Sequence, residues 1–277
     1  MVYHQEILKL CRDLTKTRVN DMKIAIISDI HSNADALSIV VGELAKSNVD
    51  VTIILGDILT YGCQPLEVIN ILRKYNSKNS TVFIKGNHDQ IYFDIQSGFK
   101  KTDYKLPKFV KDSILWTLSE IKSINLESEY VWCDDYSIGE IYFSHANPFE
   151  YGDWRYIENL EELNNSFSVL QNKGFFAGIF GHSHRQVFAG KKDRKLYELN
   201  NYCSTIDDVD QLIVNTGSVG QPRGKGLGYL IVEIKNNELC QACFMELDVN
   251  LDNSIFLIEQ ANFIRETQEK LIKYLRS

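Results

Sequence analysis

Short apolar, β-branched runs that stop abruptly in acid, amide or imidazole constrain this chain more than any other feature. Ile24 to Ile27 breaks at Ser28-Asp29-Ile30-His31-Ser32-Asn33, Val51 to Leu55 at Gly56-Asp57, and Thr81 to Lys85 at Gly86-Asn87-His88-Asp89. Continuous apolar runs of this length belong to strands buried on both faces, as in a parallel sheet covered by helices. Between them, Leu37, Val40, Val41 and Leu44, then Val68, Ile69 and Leu72, recur at helical spacing and predict right-handed βαβ crossovers. Open α/β sheets gather their ligands at the carboxyl ends of strands. The polar breaks therefore mark one composite site.

Later segments repeat the pattern. Glu140 to Ser144 ends in His145-Ala146-Asn147-Pro148, and after a helix carrying Leu160, Leu163, Phe167 and Leu170 the run Phe175 to Phe180 ends in Gly181-His182-Ser183-His184. Lys191 to Lys195 reads as a charged turn, and Leu212 to Val214 leads into Asn215-Thr216-Gly217-Ser218-Val219-Gly220-Gln221-Pro222-Arg223. Strands follow around Tyr229 to Ile234 and Cys240 to Leu247. Leu257, Ala261, Ile264, Leu271 and Leu275 predict a terminal helix over about 253–276.

Two segments stand outside this frame. Residues 1–21 read as an N-terminal helical extension ahead of a domain over 22–277, and residues from about 90 to 135 as a helical cap insertion, with Val110, Ile114, Leu118 and Ile121 at helical spacing. Within the insertion Phe99-Lys100-Lys101, Tyr104-Lys105, Lys108-Phe109 and Lys111 interleave rings and cations. That pattern suits either a polyphosphate-binding surface or a solvated face.

A formal charge of -7 excludes a surface built mainly for nucleic-acid backbone, which needs a dominant basic face. No stretch reaches the ~18 apolar residues of a membrane span, and the first 21 residues lack a signal peptide's apolar block. The six cysteines are scattered, and Cys240-x-x-Cys243 has no second pair beside it. Reduced thiols in a cytoplasmic protein are the expectation.

Five of the six histidines, His31, His88, His145, His182 and His184, sit at polar strand ends; only His4 does not. In an extended segment Asp29, His31 and Asn33 share one face, and so do His182 and His184. Imidazole, carboxylate and amide without thiolate suit borderline or hard first-row cations. With Asp29, Asp57 and Asn87, these histidines are too many ligands for one tetrahedral ion, whereas two metals about 3.5 to 4 Å apart, sharing a carboxylate, would use nearly all of them.

In this order, Asp29-x-His31, Gly56-Asp57, Gly86-Asn87-His88-Asp89, His145 and Gly181-His182-x-His184 resemble the five-block signature of the calcineurin-like metallophosphoesterases. Asp29-x-His31-x-Asn33, Gly56-Asp57-x3-Tyr61-Gly62 and the Asn215 to Arg223 segment are further similar to the small bacterial and archaeal branch of phosphodiesterases and dinucleoside-polyphosphate hydrolases. The resemblance implies a four-layer αββα sandwich of two mixed sheets flanked by helices. It also implies two divalent or mixed-valence metal ions, manganese foremost, with iron, zinc, cobalt or nickel as alternatives. Asp29, His31 and His184 would hold one ion, Asn87, His145 and His182 the other, and Asp57 would bridge them.

The implied activity is hydrolysis of a phosphoester or phosphoanhydride by a metal-bridging hydroxide. His88 would serve as general acid toward the leaving oxygen, oriented by Asp89, and Asn33 would help position the water or the substrate phosphate. Arg223 and Arg155 are candidates for a bidentate grip on a distal phosphate. Ala146 stands where this branch commonly has glycine, and Thr216 replaces the proline of Asn-Pro-Gly-Ser, loosening that loop. The expected partner is a small nucleotide-type phosphoester, a diadenosine tetraphosphate or a phosphodiester, with no membrane and no extended nucleic acid. A protein serine/threonine phosphatase and a non-catalytic, metal-stabilised binding scaffold are the rivals.

Overall fold

A computed structural model describes residues 21–98, 105–193, 195–198, 203–206, 209–224, 226–236 and 238–276. The N-terminal extension and the cap residues 99–104 lie outside them. The predicted crossovers form as β1 (Met22–Ile27), α1 (Ala34–Leu44), β2 (Val51–Ile54), α2 (Pro65–Asn76), β3 (Thr81–Ile84) and α3 (Asn87–Gln96). Local chemistry explains their edges. Asn33 Oδ1 accepts the Ala36 N–H and caps α1, and Pro65 opens α2 where its missing N–H costs nothing.

Next come α4 (Lys108–Glu120), β4 (Trp132–Cys133), β5 (Asp135–Ile138) and β6 (Ile141–Ser144), then α5 (Leu160–Lys173), capped by Asn159 and ended by Gly174 at φ +79°. The chain continues through β7 (Ala177–Phe180), β8 (Gln186–Lys192), β9 (Lys195–Glu198), β10 (Cys203–Thr205), β11 (Gln211–Thr216), β12 (Gly228–Lys235) and β13 (Glu238–Glu246). It closes with α6 (Asp252–Gln260) and α7 (Arg265–Leu275).

Among the described residues thirteen strands form two mixed sheets. One has the order β10-β13-β12-β1-β2-β3-β4 and the other β5-β6-β7-β11-β8-β9. β1, β2, β3 and β4 run parallel, as do β6, β7 and β11; the antiparallel strands flank them. The sheets share an inner core in which Ile24, Ile26, Ile53 and Ile84 of the first meet Phe143, Ile179, Leu212 and Val214 of the second. On the outer face of the first sheet, Ala25, Ile27, Ile54 and Phe83 pack against Leu37, Val68, Tyr92, Ile114, Ile258 and Leu271 from the helices. Phe167 and Leu170 of α5 cover Tyr142, Phe180 and Ile213 on the second. This is the four-layer αββα sandwich that the resemblance implies.

Three sequence expectations need comment. Of the cap segment, Ile91, Tyr92, Val110 and Ile114 are buried in the outer helical layer, while Lys108 is tied to Asp112 across one helical turn and Phe109 stacks on Tyr274. The terminal helix is two helices, not one: the backbone extends at Ala261, and the Gln268 amide donates to the Ile258, Glu259 and Ala261 carbonyls that the break exposes. Finally, Cys243 is disulfide-bonded, against the expectation of six reduced thiols; it faces Cys203 in the β10–β13 ladder, a juxtaposition that a separation of this length along the chain conceals. Cys63 and Cys240 are free.

Candidate metal centre

The carboxyl ends of β1, β2 and β3 and those of β6, β7 and β11 meet at one edge of the sandwich, and the loops leaving them are tightly wound. Asp29, His31, Asp57, Thr60, Tyr61, His182 and His184 all have positive φ, between 47° and 82°. Such conformations are disfavoured for residues with a Cβ and persist where surrounding contacts over-determine them. Glycine provides the clearance: a Cβ at Gly86 would overlap Asp57 Oδ1, and one at Gly181 would overlap Ser28 Oγ. These are close approaches that only glycine permits.

Two groups of ligand atoms result, Asp29 with His31 and His184, and Asp57 with His145 and His182. Asp29 is anchored through Oδ2 by the Ser28 hydroxyl and the His182 N–H, leaving Oδ1 with no hydrogen-bond partner, 3.1 Å from His184 Nε2 and 3.6 Å from His31 Nε2. Asp57 accepts the His88 N–H at Oδ1, and its Oδ2 lies 3.4 Å from His145 Nε2 and 3.9 Å from His31 Nε2, between the two groups. Asn87 Oδ1 adds to the second group, 3.1 Å from His145 Nε2.

The imidazole tautomers test whether cations fit. His31, His145 and His184 each set Nδ1 against a backbone carbonyl, of Leu59, Leu55 and Gln221 respectively, and His182 sets Nε2 against the Trp154 carbonyl. Donation to a carbonyl fixes the proton on that nitrogen and turns the other lone pair inward, the usual second layer of a histidine ligand. His31 Nε2 and His184 Nε2 then face each other at 3.0 Å, and His145 Nε2 and His182 Nδ1 at 3.2 Å. Nitrogens that close, beside a carboxylate oxygen with no donor, are suited to hold a cation between them.

Electrostatics agree. Burial pulls His182 and His184 down to about 4, so both rings are neutral. Burial alone would raise Asp29 and Asp57, but the surrounding imidazoles outweigh it and hold both carboxyls well below the usual range. Desolvation disfavours a charged His145, yet the Asp57 carboxylate prevails and holds that ring up at about 9. Without metal, a proton takes the place of a cation there.

Four other expected site residues behave differently. Asp89 does not orient His88. Its carboxylate accepts the N–H groups of Asp57, Gly86 and Ile58 at 2.7, 2.8 and 3.2 Å, clamping two ligand loops together. Asn33 spends its side chain on the α1 cap and on the Gly220 carbonyl. Arg155 is turned to solvent, paired with Asp153 and lying over Phe149. Arg223 is brought to the centre: its backbone N–H meets the His184 carbonyl, its Nη1 donates to Tyr156 Oη at 3.4 Å, and its Nε has no partner.

His88 is buried with Nε2 4.0 Å from Asp57 Oδ2, and burial pushes its imidazole down to about 3. It is a neutral hydrogen-bonding ring. Sequence reasoning passed over Ser28, and over Trp154 and Tyr156 on either side of Arg155. The Tyr156 ring stacks on His182 at 4.4 Å, and Trp154 meets the edge of His145 at 5.8 Å. Aromatics flanking an arginine after a ligand-bearing strand were the available signal.

Comparison with known proteins bears on this geometry. A family described as the calcineurin-like phosphoesterase superfamily domain matches residues 22–237. An uncharacterized protein of Methanocaldococcus jannaschii is 29% identical over 257 residues, 90% of this chain and 92% of that one. A metallophosphoesterase from Sphaerobacter thermophilus superposes with a TM-score of 0.70 at 22% identity, covering 92% of this chain and 100% of that chain. A hypothetical protein from Pyrococcus horikoshii gives 0.67 at 15% identity, over 90% of this chain and 97% of its own.

Proposed function

The chain belongs to the calcineurin-like phosphoesterase superfamily and is a hydrolase of phosphoester bonds; from that premise we propose that it uses two metal ions to cleave a nucleotide-type phosphodiester or a dinucleoside polyphosphate. The observation that carries the two-metal reading is the placement of Asp57 Oδ2 between two groups of inward-facing imidazoles. Asp29, His31 and His184 would hold one ion and Asn87, His145 and His182 the other, with Asp57 shared. When bound, the pair supplies Lewis-acid charge that activates water and neutralises phosphoryl oxygens.

The side chains divide the remaining work. Asp29 and Asp57 bring two negative charges into a buried site and so select for cations. The four carbonyl-anchored rings hold their ligand nitrogens in place, so little reorganisation is needed on binding. His88, neutral and directed at the same space, donates a hydrogen bond to the leaving oxygen as charge develops on it. Arg223, partly buried with a spare Nε, contacts a second phosphate.

Support for the nucleotide reading is the aromatic rim. Trp154 and Tyr156 lie against the second ligand group next to the Arg223 guanidinium, offering ring faces for a base beside a cation for phosphate. Turnover of diadenosine tetraphosphate, bis-nitrophenyl phosphate and a phosphopeptide, compared under the same manganese conditions with products identified, tests it. The expected result is preference for one of the first two. Preference for the phosphopeptide overturns the substrate assignment, and a chain that binds metal but cleaves none of the three is the scaffold rival.

A further inference from the structure

His88 lacks the partner that its neighbour Asp89 was expected to provide. Its Nδ1 is buried with no hydrogen-bond partner, and among the described residues its ring makes one hydrogen bond, to Tyr61 Oη, 3.2 Å from Nε2. A proton on Nδ1 would be a buried donor with nothing to bond, so the favoured tautomer carries it on Nε2 and donates it to the tyrosine oxygen. That nitrogen is the one facing Asp57 and the centre of the site.

Tyr61 is held for this purpose at a cost in backbone strain. It sits at φ +65°, directly after Thr60 at φ +82°, a conformation especially unfavourable for a β-branched residue. Separate elements sustain the turn. The Tyr61 N–H donates to Ser113 Oγ of α4 at 2.7 Å, and Thr60 Oγ1 pairs with Tyr92 Oη of α3 at 2.7 Å. Phe109 stacks on the outer side of the Tyr61 ring at 6.4 Å, backed by Tyr274 of α7, while the edge of His31 closes the inner side at 4.6 Å. Strain sustained by three helices, with a buried hydroxyl at its end, is expected where a functional group must be placed.

We propose that Tyr61 is the positioning residue of this site. In the free site its hydroxyl accepts the His88 Nε2–H and so fixes the ring in the tautomer whose Nε2–H passes from the tyrosine oxygen to the leaving oxygen when substrate is bound, the positioning part expected of Asp89. The inference rests on the phosphoesterase reading for its purpose, while the contact itself can be read without turnover.

Nuclear magnetic resonance of the metal-free chain with ¹⁵N-labelled histidine reads that contact, the His88 ring being identified by the signals lost in His88→Asn. In Tyr61→Phe the His88 Nε2 signal moves and its proton exchanges faster with solvent, while the signals of His145, His182 and His184 stay in place. Unchanged His88 signals overturn the proposal. If Tyr61→Phe fails to fold, Ser113→Ala is read in the same way, since it unties the turn and leaves both rings intact.

Kinetics on the manganese-loaded enzyme give a second, separate reading. Tyr61→Phe lowers kcat about tenfold with KM unchanged, the loss of roughly one hydrogen bond, and more on diesters with poor leaving groups than on activated ones. In a His88→Asn background the substitution has no further effect; multiplicative losses would overturn the assignment. An inactive wild-type chain defeats the functional reading alone, because the resonance experiment still decides the contact.

Discussion

Asp89 illustrates how a residue's chemistry can be legible while its partner is not. A carboxylate next to a histidine at a strand end reads as the acid behind a catalytic imidazole. Here the helix that starts at Asn87 turns Asp89 back onto the N–H of Gly86, and the same oxygens accept the N–H groups of Asp57 and Ile58 from the neighbouring loop. Three buried donors depend on this one side chain, and each left unpaired costs about 1 to 3 kcal/mol. Asp89→Ala is therefore expected to lower the unfolding free energy of the metal-free chain by about 3 kcal/mol or more in urea titrations. A loss under about 0.5 kcal/mol, with activity reduced, would restore the orienting role. Arg155 and Asn33 carry the same lesson, since their partners, Asp153 and the Gly220 carbonyl, are set by loop geometry that side-chain type does not encode. The ligands were legible because each follows a buried strand directly, leaving few positions for its side chain.

At the scale of elements, legibility followed burial. β1, β2, β3, β6 and β7 are predominantly apolar, and their short continuous apolar runs mark them out. β8 carries Gln186, Gly190, Lys191 and Lys192, so its pairing with β11 and β9 comes from register in the sheet and is hidden in its composition. The terminal helix departs from its sequence pattern for a different reason. Its apolar spacing is continuous, but Ile258 and Leu271 reach one core from two helices, and the break between them is stabilised by a polar side chain. Gln268 donates to carbonyls that α6 leaves open at its end, so Gln268→Ala should cost about 1 kcal/mol, partly offset by alanine's helix propensity. Urea unfolding against Glu269→Ala, which removes only a solvent-exposed pair with Arg265, checks this; the control should stay within about 0.5 kcal/mol. Equal effects would mean that the break is held by packing alone.

At the scale of the molecule, the two sheets meet at the cluster of candidate ligands, and neither ligand group belongs to one sheet. Asp29 and His31 follow β1 of the first sheet while His184 follows β7 of the second; Asp57 and Asn87 come from the first sheet, His145 and His182 from the second. A cation in either group therefore fastens the layers together, in addition to relieving the contact between inward lone pairs. Cations that bind the folded chain and not the unfolded one stabilise it by mass action, about 2.7 kcal/mol at a hundredfold excess over Kd. For a domain of this size that corresponds to a rise in Tm of roughly 5 to 10 °C. Thermal unfolding of chelator-treated chain with and without added manganese should show that rise. Magnesium, which prefers all-oxygen coordination, should produce less at equal concentration. The sharper measurement is Asp57→Asn, which removes the one carboxylate shared by both groups. The metal-induced rise in Tm should fall by more than half and hydrolysis should be abolished, whereas a full rise with hydrolysis lost would mean that each ion is held without the shared oxygen and that Asp57 acts only on the reaction.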